Sequence, residues 1–296
     1  MSDFSFFLEV VVGGLLSGVM YTLVALGFVL IFKASGVFNF AQGAMVLFAA
    51  LTFVGFTEYG LPQWAAFLVT LAVMSALAVG IERAVLRPLL GQDAMILFMA
   101  TIGLSIFLEG LAQLIWGTEV RGLDLGIPDE PIEWGGVLVS QFDLSTALMA
   151  AVLVAVLSVF FSTTRIGRAL RAVADDTQAA QVAGVPLGFI WAVVWGVAGF
   201  IALVAGLVWG ARLGVQFALT LVALKALPVM ILGGFNSITG AIVAGLVIGV
   251  SEKLAEAYLG PFVGGGIENW FPYALAVAVL LWRPTGLFGA ARIARV

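Results

Sequence analysis

The sequence predicts an all-α polytopic membrane protein of about eight or nine transmembrane helices, some glycine-broken or re-entrant, with an internal repeat. Three observations predict it. First, 62% of the 296 residues are hydrophobic and only 10% are charged, against roughly 45–50% and 25% in soluble domains. With a mean hydropathy of +1.17, a soluble core of this length could not hide the apolar surface, so lipid must be the solvent for most of the chain. Second, charge-free stretches long enough to cross a bilayer recur from end to end. Third, 36 glycines punctuate those stretches, and several fall at GxxxG spacing.

The stretches run in order. Val10–Phe32, Ala34–Thr57 and Tyr59–Ile81 carry no charge, and Ala94–Thr118 carries only Glu109. Leu144–Thr164 is clean, and Thr177–Ala211 is longer than one crossing needs. Lys225 separates Leu213–Leu224 from Ala226–Ser251, and Asn269–Trp282 ends the apolar part. Gly14/Gly18, Gly206/Gly210, Gly210/Gly214 and Gly245/Gly249 have the spacing that lets helix backbones approach closely. The whole chain, 1–296, is read as one transmembrane domain. Arg83 and Arg87, the trio Arg165, Arg168 and Arg171, and Arg283, Arg292 and Arg295 form three basic segments. By the positive-inside rule they lie in the cytoplasm, as does the C-terminus. The acidic 118–143 loop and Glu58 fall outside, together with the N-terminus.

The chemistry available is narrow. The chain has no His and no Cys, which removes thiolate nucleophiles, His general bases and Cys/His metal sites. No catalytic residue, metal ligand or cofactor of its own is expected. The net charge of −4 gives no footprint for nucleic acid, and Lys33, Lys225 and Lys253 lie in no Walker A loop.

Two segments echo one another: Phe38-Asn39-Phe40-Ala41-Gln42-Gly43-Ala44 and Phe235-Asn236-Ser237-Ile238-Thr239-Gly240-Ala241. Interrupted segments in corresponding halves of a chain point to a transporter's central site. They equally suit two helix caps. Asn39, Gln42, Asn236, Ser237 and Thr239 are therefore candidates for a substrate pathway. Thr101, Ser105 and Glu109, four residues apart on one helix, form a polar stripe that faces either other helices or that pathway. Glu109, the one carboxylate well inside a stretch, faces the pathway or is neutralised, by protonation or by a partner such as Lys225. Glu252, Lys253 and Glu256 read as a solvated outer helix end or a docking point.

The stretch from Thr164 to Gly184 carries Arg165, Arg168 and Arg171 at i+3 spacing, which in a helix makes one basic edge. Alanines at 169, 172, 179, 180 and 183 would let a partner dock closely, and Gly184 and Pro186 stop the helix. A solvated connector beside lipid headgroups is the other reading of the composition.

Gln178-Ala179-Ala180-x-x-x-Gly184 resembles the EAA-x-x-x-G loop of ABC importer permeases, with Gln at the first position and no distal Ile-x-Leu-Pro. The run from Gly14 to Gly27 resembles the opening helix of LivH-type permeases of branched-chain amino acid ABC transporters. So do Asn39–Gly43, Ile81–Arg83 with Arg87–Leu89, Thr101–Ser105, Gly167–Ala169, Ile231–Gly234 and Arg283–Gly286. These cover almost the whole chain in order. The resemblance implies a multi-pass permease subunit of the bacterial inner membrane, delivering branched-chain amino acids or a related solute such as urea or an amide. It implies a homologous second permease (LivM-type), two ATPase subunits that consume the ATP, and a periplasmic solute-binding protein. The 165–187 loop is then the coupling loop, with Arg168, Arg171, Asp175, Ala179, Ala180 and Gly184 serving the ATPase. The alternative is a stand-alone secondary transporter or channel, which having a single clear intramembrane carboxylate and no His disfavours.

Overall fold

The computed structural model describes residues 3–89 and 92–289. Its helices are α1 (Asp3–Ser35), α2 (Gln42–Glu58), α3 (Gln63–Ile81) and α4 (Ala94–Trp116), followed by a hairpin of β1 (Pro131–Trp134) and β2 (Val137–Ser140). After it come α5 (Gln141–Thr163), α6 (Arg165–Asp175), α7 (Thr177–Val182), α8 (Leu187–Leu213), α9 (Thr220–Gly233), α10 (Ile238–Val263) and α11 (Phe271–Trp282). Six of these are long and apolar enough to cross a membrane, and three shorter apolar helices, α2, α9 with its preceding turn, and α11, complete the set among the described residues. The all-α polytopic expectation holds, and so does the count of eight or nine.

The chain divides into two compact units. One is drawn from Met1–Val29, Gly126–Val156 and Lys225–Val296, the other from Leu30–Leu125 and Leu157–Leu224. In the first, α1 and α10 meet through the glycines singled out by their spacing. A Cβ on Gly18 would lie 2.5 Å from the Gly245 carbonyl oxygen, and one on Gly14 2.7 Å from the Val250 Cα. Only hydrogen fits there. Two stretches of the family resemblance also meet in this unit. Beyond Arg283–Gly286 the chain returns to the end of α9, where Leu287 N donates to Leu232 O (2.8 Å) and Phe288 N to Gly233 O (3.1 Å). The β hairpin turns through Gly135 and Gly136, both at positive φ (63° and 83°), as a tight two-residue turn requires.

In the second unit α2 is the central helix. Every residue from Gln42 to Gly55 is buried, and α3, α4 and α8 pack around it. It is apolar all round, as a helix without a solvent face must be. A Cβ on Gly206 of α8 would come within 2.6 Å of the Val46 carbonyl oxygen, so that glycine too admits a backbone. The unit has two chemically distinct ends. At one, Arg121 pairs with Glu58 and donates to the Trp116 carbonyl, and its backbone exchanges hydrogen bonds with Val215 at 3.0 and 2.8 Å. At the other lie Arg87, Gly188 and α6.

Two boundaries differ from the sequence reading. Lys225 does not separate two helices: it lies inside α9, and the break falls at 234–237, where Gly234 takes φ +99° and Ser237 caps α10. A single lysine can be carried within a helix when it has a counter-ion, and here it has one. The stretch from Thr164 to Gly184 is likewise two helices, broken at Asp176, whose backbone is extended (φ −156°, ψ 104°).

Candidate functional site

The 165–187 segment is built on the end of α5. Thr164 caps α6 by accepting from Gly167 N at 3.1 Å. Gly167, Leu170 and Val173 form its buried face, and Gly167 lies so close to the Phe161 carbonyl that no side chain would fit. The last carbonyls of α5 have no partner within their own helix. Arg171 donates to Phe161 O (3.0 Å) and Ser162 O (3.2 Å), and Arg168 to Thr163 O (2.9 Å). Both arginines thus complement the negative end of a helix and fasten α6 beneath α5. Asp176 then caps α7, accepting from Ala179 N at 2.9 Å. Ala180 is buried, whereas Gln178, Ala179, Gln181, Val182, Ala183 and Gly184 are exposed, Val182 at 90%. Asp175 is exposed at the end of α6. The result is a short, firmly seated foot whose α7 presents uncharged side chains outward, with Asp175 and Asp176 exposed where it begins. Gly184 ends it at φ +84°.

Beside this foot the second unit holds a cavity of about 220 Å³, far more than the roughly 10–15 Å³ one water needs. Its polar lining is Ser35, Asn39, Gln92, Thr101 and Thr177, with Trp191 and Trp195 as aromatic walls and, among the described residues, no charged side chain. Trp191 is fixed by donating its indole N–H to the Ala34 carbonyl at 3.1 Å. Asn39 is fully buried; its Oδ1 accepts from Ala41 N at 3.1 Å, while its Nδ2 reaches only Gln42 Oε1 at 3.5 Å and the Met45 sulfur at 3.9 Å. Thr101 shares its hydroxyl hydrogen between Phe98 O (2.9 Å) and Phe38 O (3.2 Å). An amide with slack donors and a hydroxyl with free lone pairs suit a neutral polar guest held weakly.

The structure therefore joins Asn39 and Thr101 in one cavity and adds Thr177, the first residue of α7. Gln42 is fully buried but outside that lining; its amide donates to Ala198 O on α8 at 3.4 Å. Lower on α4, Ser105 donates to Glu109 Oε1 at 3.5 Å. Asn236, Ser237 and Thr239 stand at the start of α10 in the other unit. Ser237 caps the helix through Gly240 N (2.9 Å), Asn236 is half-buried and Thr239 exposed. Sequence reasoning missed Gln92, Thr177 and Trp191.

The charged residues of the first unit also differ from expectation. Glu252 is not at a solvated helix end. It lies inside α10, 1% exposed, accepting from the Tyr21 hydroxyl at 3.0 Å and 3.7 Å from Lys225 Nζ. Lys253 pairs with Glu268 at 3.0 Å, and Glu256 accepts from Gly266 N and Glu268 N at 3.0 and 3.1 Å. Those two groups pin the turn after α10.

A multi-pass helical protein that buries uncharged polar groups about a cavity, with a small exposed foot alongside, defines a membrane transport protein. Comparison with known proteins then gives the family. Residues 10–282 match the family described as "Branched-chain amino acid transport system / permease component", and the chain belongs to it. It is 30% identical to the high-affinity branched-chain amino acid transport system permease protein BraD of Pseudomonas aeruginosa, over 100% of both chains. It is also 30% identical to the corresponding LivH of Escherichia coli K12, over 99% of both. A probable LivH of Methanocaldococcus jannaschii is 27% identical across 94% of this chain and 91% of its own. The chain is thus a permease component of an ABC importer, a transport subunit and not an enzyme, in a system with ATPase and solute-binding partners.

Proposed function

We propose that the chain forms half of the translocation pathway of an importer for branched-chain amino acids or a related small polar solute. It works in the bacterial inner membrane beside a homologous LivM-type permease, with its C-terminus in the cytoplasm. It needs no cofactor; the two ATPase subunits use the ATP. The observation that carries this reading is the α6–α7 foot: seated by Arg168 and Arg171, backed by Ala180, and presenting Ala179, Ala183 and Gly184 outward, with Asp175 at its edge.

Closure of the ATPases on α7 would push on a rigid element. The push passes along two routes, through Pro186 into α8 and through Thr177 into the cavity that Asn39 and Thr101 line. Ser105 and Glu109 continue that polar line along α4, and Asn236, Ser237 and Thr239 are the matching arm in the second half of the chain. Weak lining suits a protein that must release what it receives. The test is Ala179→Trp in the complex of permeases and ATPases with its binding protein. A bulky side chain on the exposed face should abolish ATP-driven uptake while the complex still assembles in the membrane. Uptake at the wild-type rate would refute the docking role.

A further inference from the structure

Between Arg212 and Lys253 the only charged residues are Lys225 and Glu252. Lys225 lies at the middle of the apolar segment Phe217–Gly233, and Glu252 lies within the Ile238–Val263 span. The two form an ion pair, with Nζ 3.7 Å from Oε1, too far for a hydrogen bond between them. The burial is lopsided. The Glu252 side chain is 1% exposed and that of Lys225 28%. The anion is held from behind, where Tyr21 donates to the same Oε1 at 3.0 Å. The cation makes no hydrogen bond among the described residues, so all three N–H donors remain available.

Bare hydrocarbon is a poor neighbour for such a group: an ammonium at the centre of a span costs roughly 2.5–3.5 kcal/mol on insertion scales. Lysines near helix ends escape by reaching the interface, but this one is as far from either end of its segment as the chain allows. Its open side therefore meets water or a polar solute. A solute arriving there meets a cation whose counter-ion is shut away, so the site favours an anionic group and offers nothing to a cationic one. A lysine, being a point charge on a flexible stem, makes such a contact without fixing its geometry, which suits passage rather than retention.

We propose that Lys225 is a pathway contact for the carboxylate of the transported solute, held in place by Glu252 and Tyr21. The proposal rests on the permease reading above and narrows its substrate class to carboxylate-bearing solutes such as zwitterionic amino acids, over urea, amides or sugars.

The chain has no cysteine, which makes a charge-restoration test clean. K225C is assembled with its partner permease, ATPases and binding protein in proteoliposomes, and ATP-driven leucine uptake is measured. Loss of a charge-assisted contact is expected to lower uptake about tenfold or more. Aminoethyl methanethiosulfonate, which returns an ammonium, should restore most of it; methyl methanethiosulfonate should not, and K225R should work. Leucine in turnover should slow the aqueous modification. The proposal is overturned if K225C imports leucine at the wild-type rate, if both reagents rescue alike, or if the aminoethyl reagent does not reach the thiol. It is overturned too if K225C and K225Q fail to assemble where K225R succeeds, since the charge then serves packing. Import of urea but not leucine by the wild-type complex would sink the solute class and leave the permease reading intact. ATP-independent import would sink the permease reading itself.

Discussion

Replacing Arg87 by Met tests how the foot end of the second unit is held. Glu82 is fully buried, and Arg87 grips its carboxylate with contacts of 2.9, 3.0 and 3.1 Å. The grip exists because α3 ends in a π-helical turn, Glu82–Leu86, which brings residues five apart onto one side. Arg87 also lies against Gly188, where a Cβ would sit 2.7 Å from its Nη2, so the pair braces the start of α8. Arg87→Met leaves a buried carboxylate with no counter-charge. Breaking such a pair costs about 3–5 kcal/mol when both groups are buried. The Arg87 side chain is 47% exposed, so water takes part of that load and roughly 2–3 kcal/mol is expected. The double variant Glu82→Met with Arg87→Met removes both charges and should recover most of the loss, because an apolar pair of similar volume is close to neutral. Arg87→Lys, which gives up the two-pronged fork, should fall between. Thermal unfolding of the purified full-length chain, followed by tryptophan fluorescence, ranks the four proteins. If Arg87→Met melts with the wild type, or the double variant melts as low as the single, the pair does not act as described.

The remaining expectations concern packing and the foot. Gly18→Leu inserts a side chain where 2.5 Å separates a would-be Cβ from a carbonyl oxygen. Backbone cannot step aside as a side chain can, so the cost should exceed the usual 1–3 kcal/mol of overpacking, and the yield of folded protein should collapse; normal yield would show that α1 and α10 are not in direct backbone contact. Asp176→Ala removes the cap on α7 at a cost of about 1 kcal/mol. Transport per ATP hydrolysed should fall severalfold with assembly unchanged, and an unaltered ratio would mean that the order of α7 does not matter.

Much of this was legible in the sequence, and the reasons are particular. Gly14, Gly18, Gly245 and Gly249 are visible because packing without side chains demands one residue type at one spacing. Less legible was the fate of Lys225. A charge in an apolar run reads as a boundary, and only its partner, Glu252 on a different helix, makes an interior position tolerable. Glu252 itself read as solvated, since Lys253 and Glu256 beside it do reach the surface turn; one residue of rotation on a helix separates the two fates. The break at Asp176 was hidden because the alanines on both sides of it read as one continuous helix, although an aspartate there favours a cap. Asn39 and Thr101 were found as polar groups out of place, whereas Trp191 and Trp195 offered no such contrast in a chain rich in aromatic residues.

The contact between α1 and α10 has a consequence for motion. Main chain lies against main chain at these glycines, with Thr22 the side chain wedged beside Gly245, so the pair has little to adjust by repacking. A transport cycle that bends or tilts the N-terminal helix must carry its glycine partner with it as one beam. Whatever flexes does so elsewhere, and the last two-thirds of α10, Lys253 and Glu256 included, travels with the first turns of the chain.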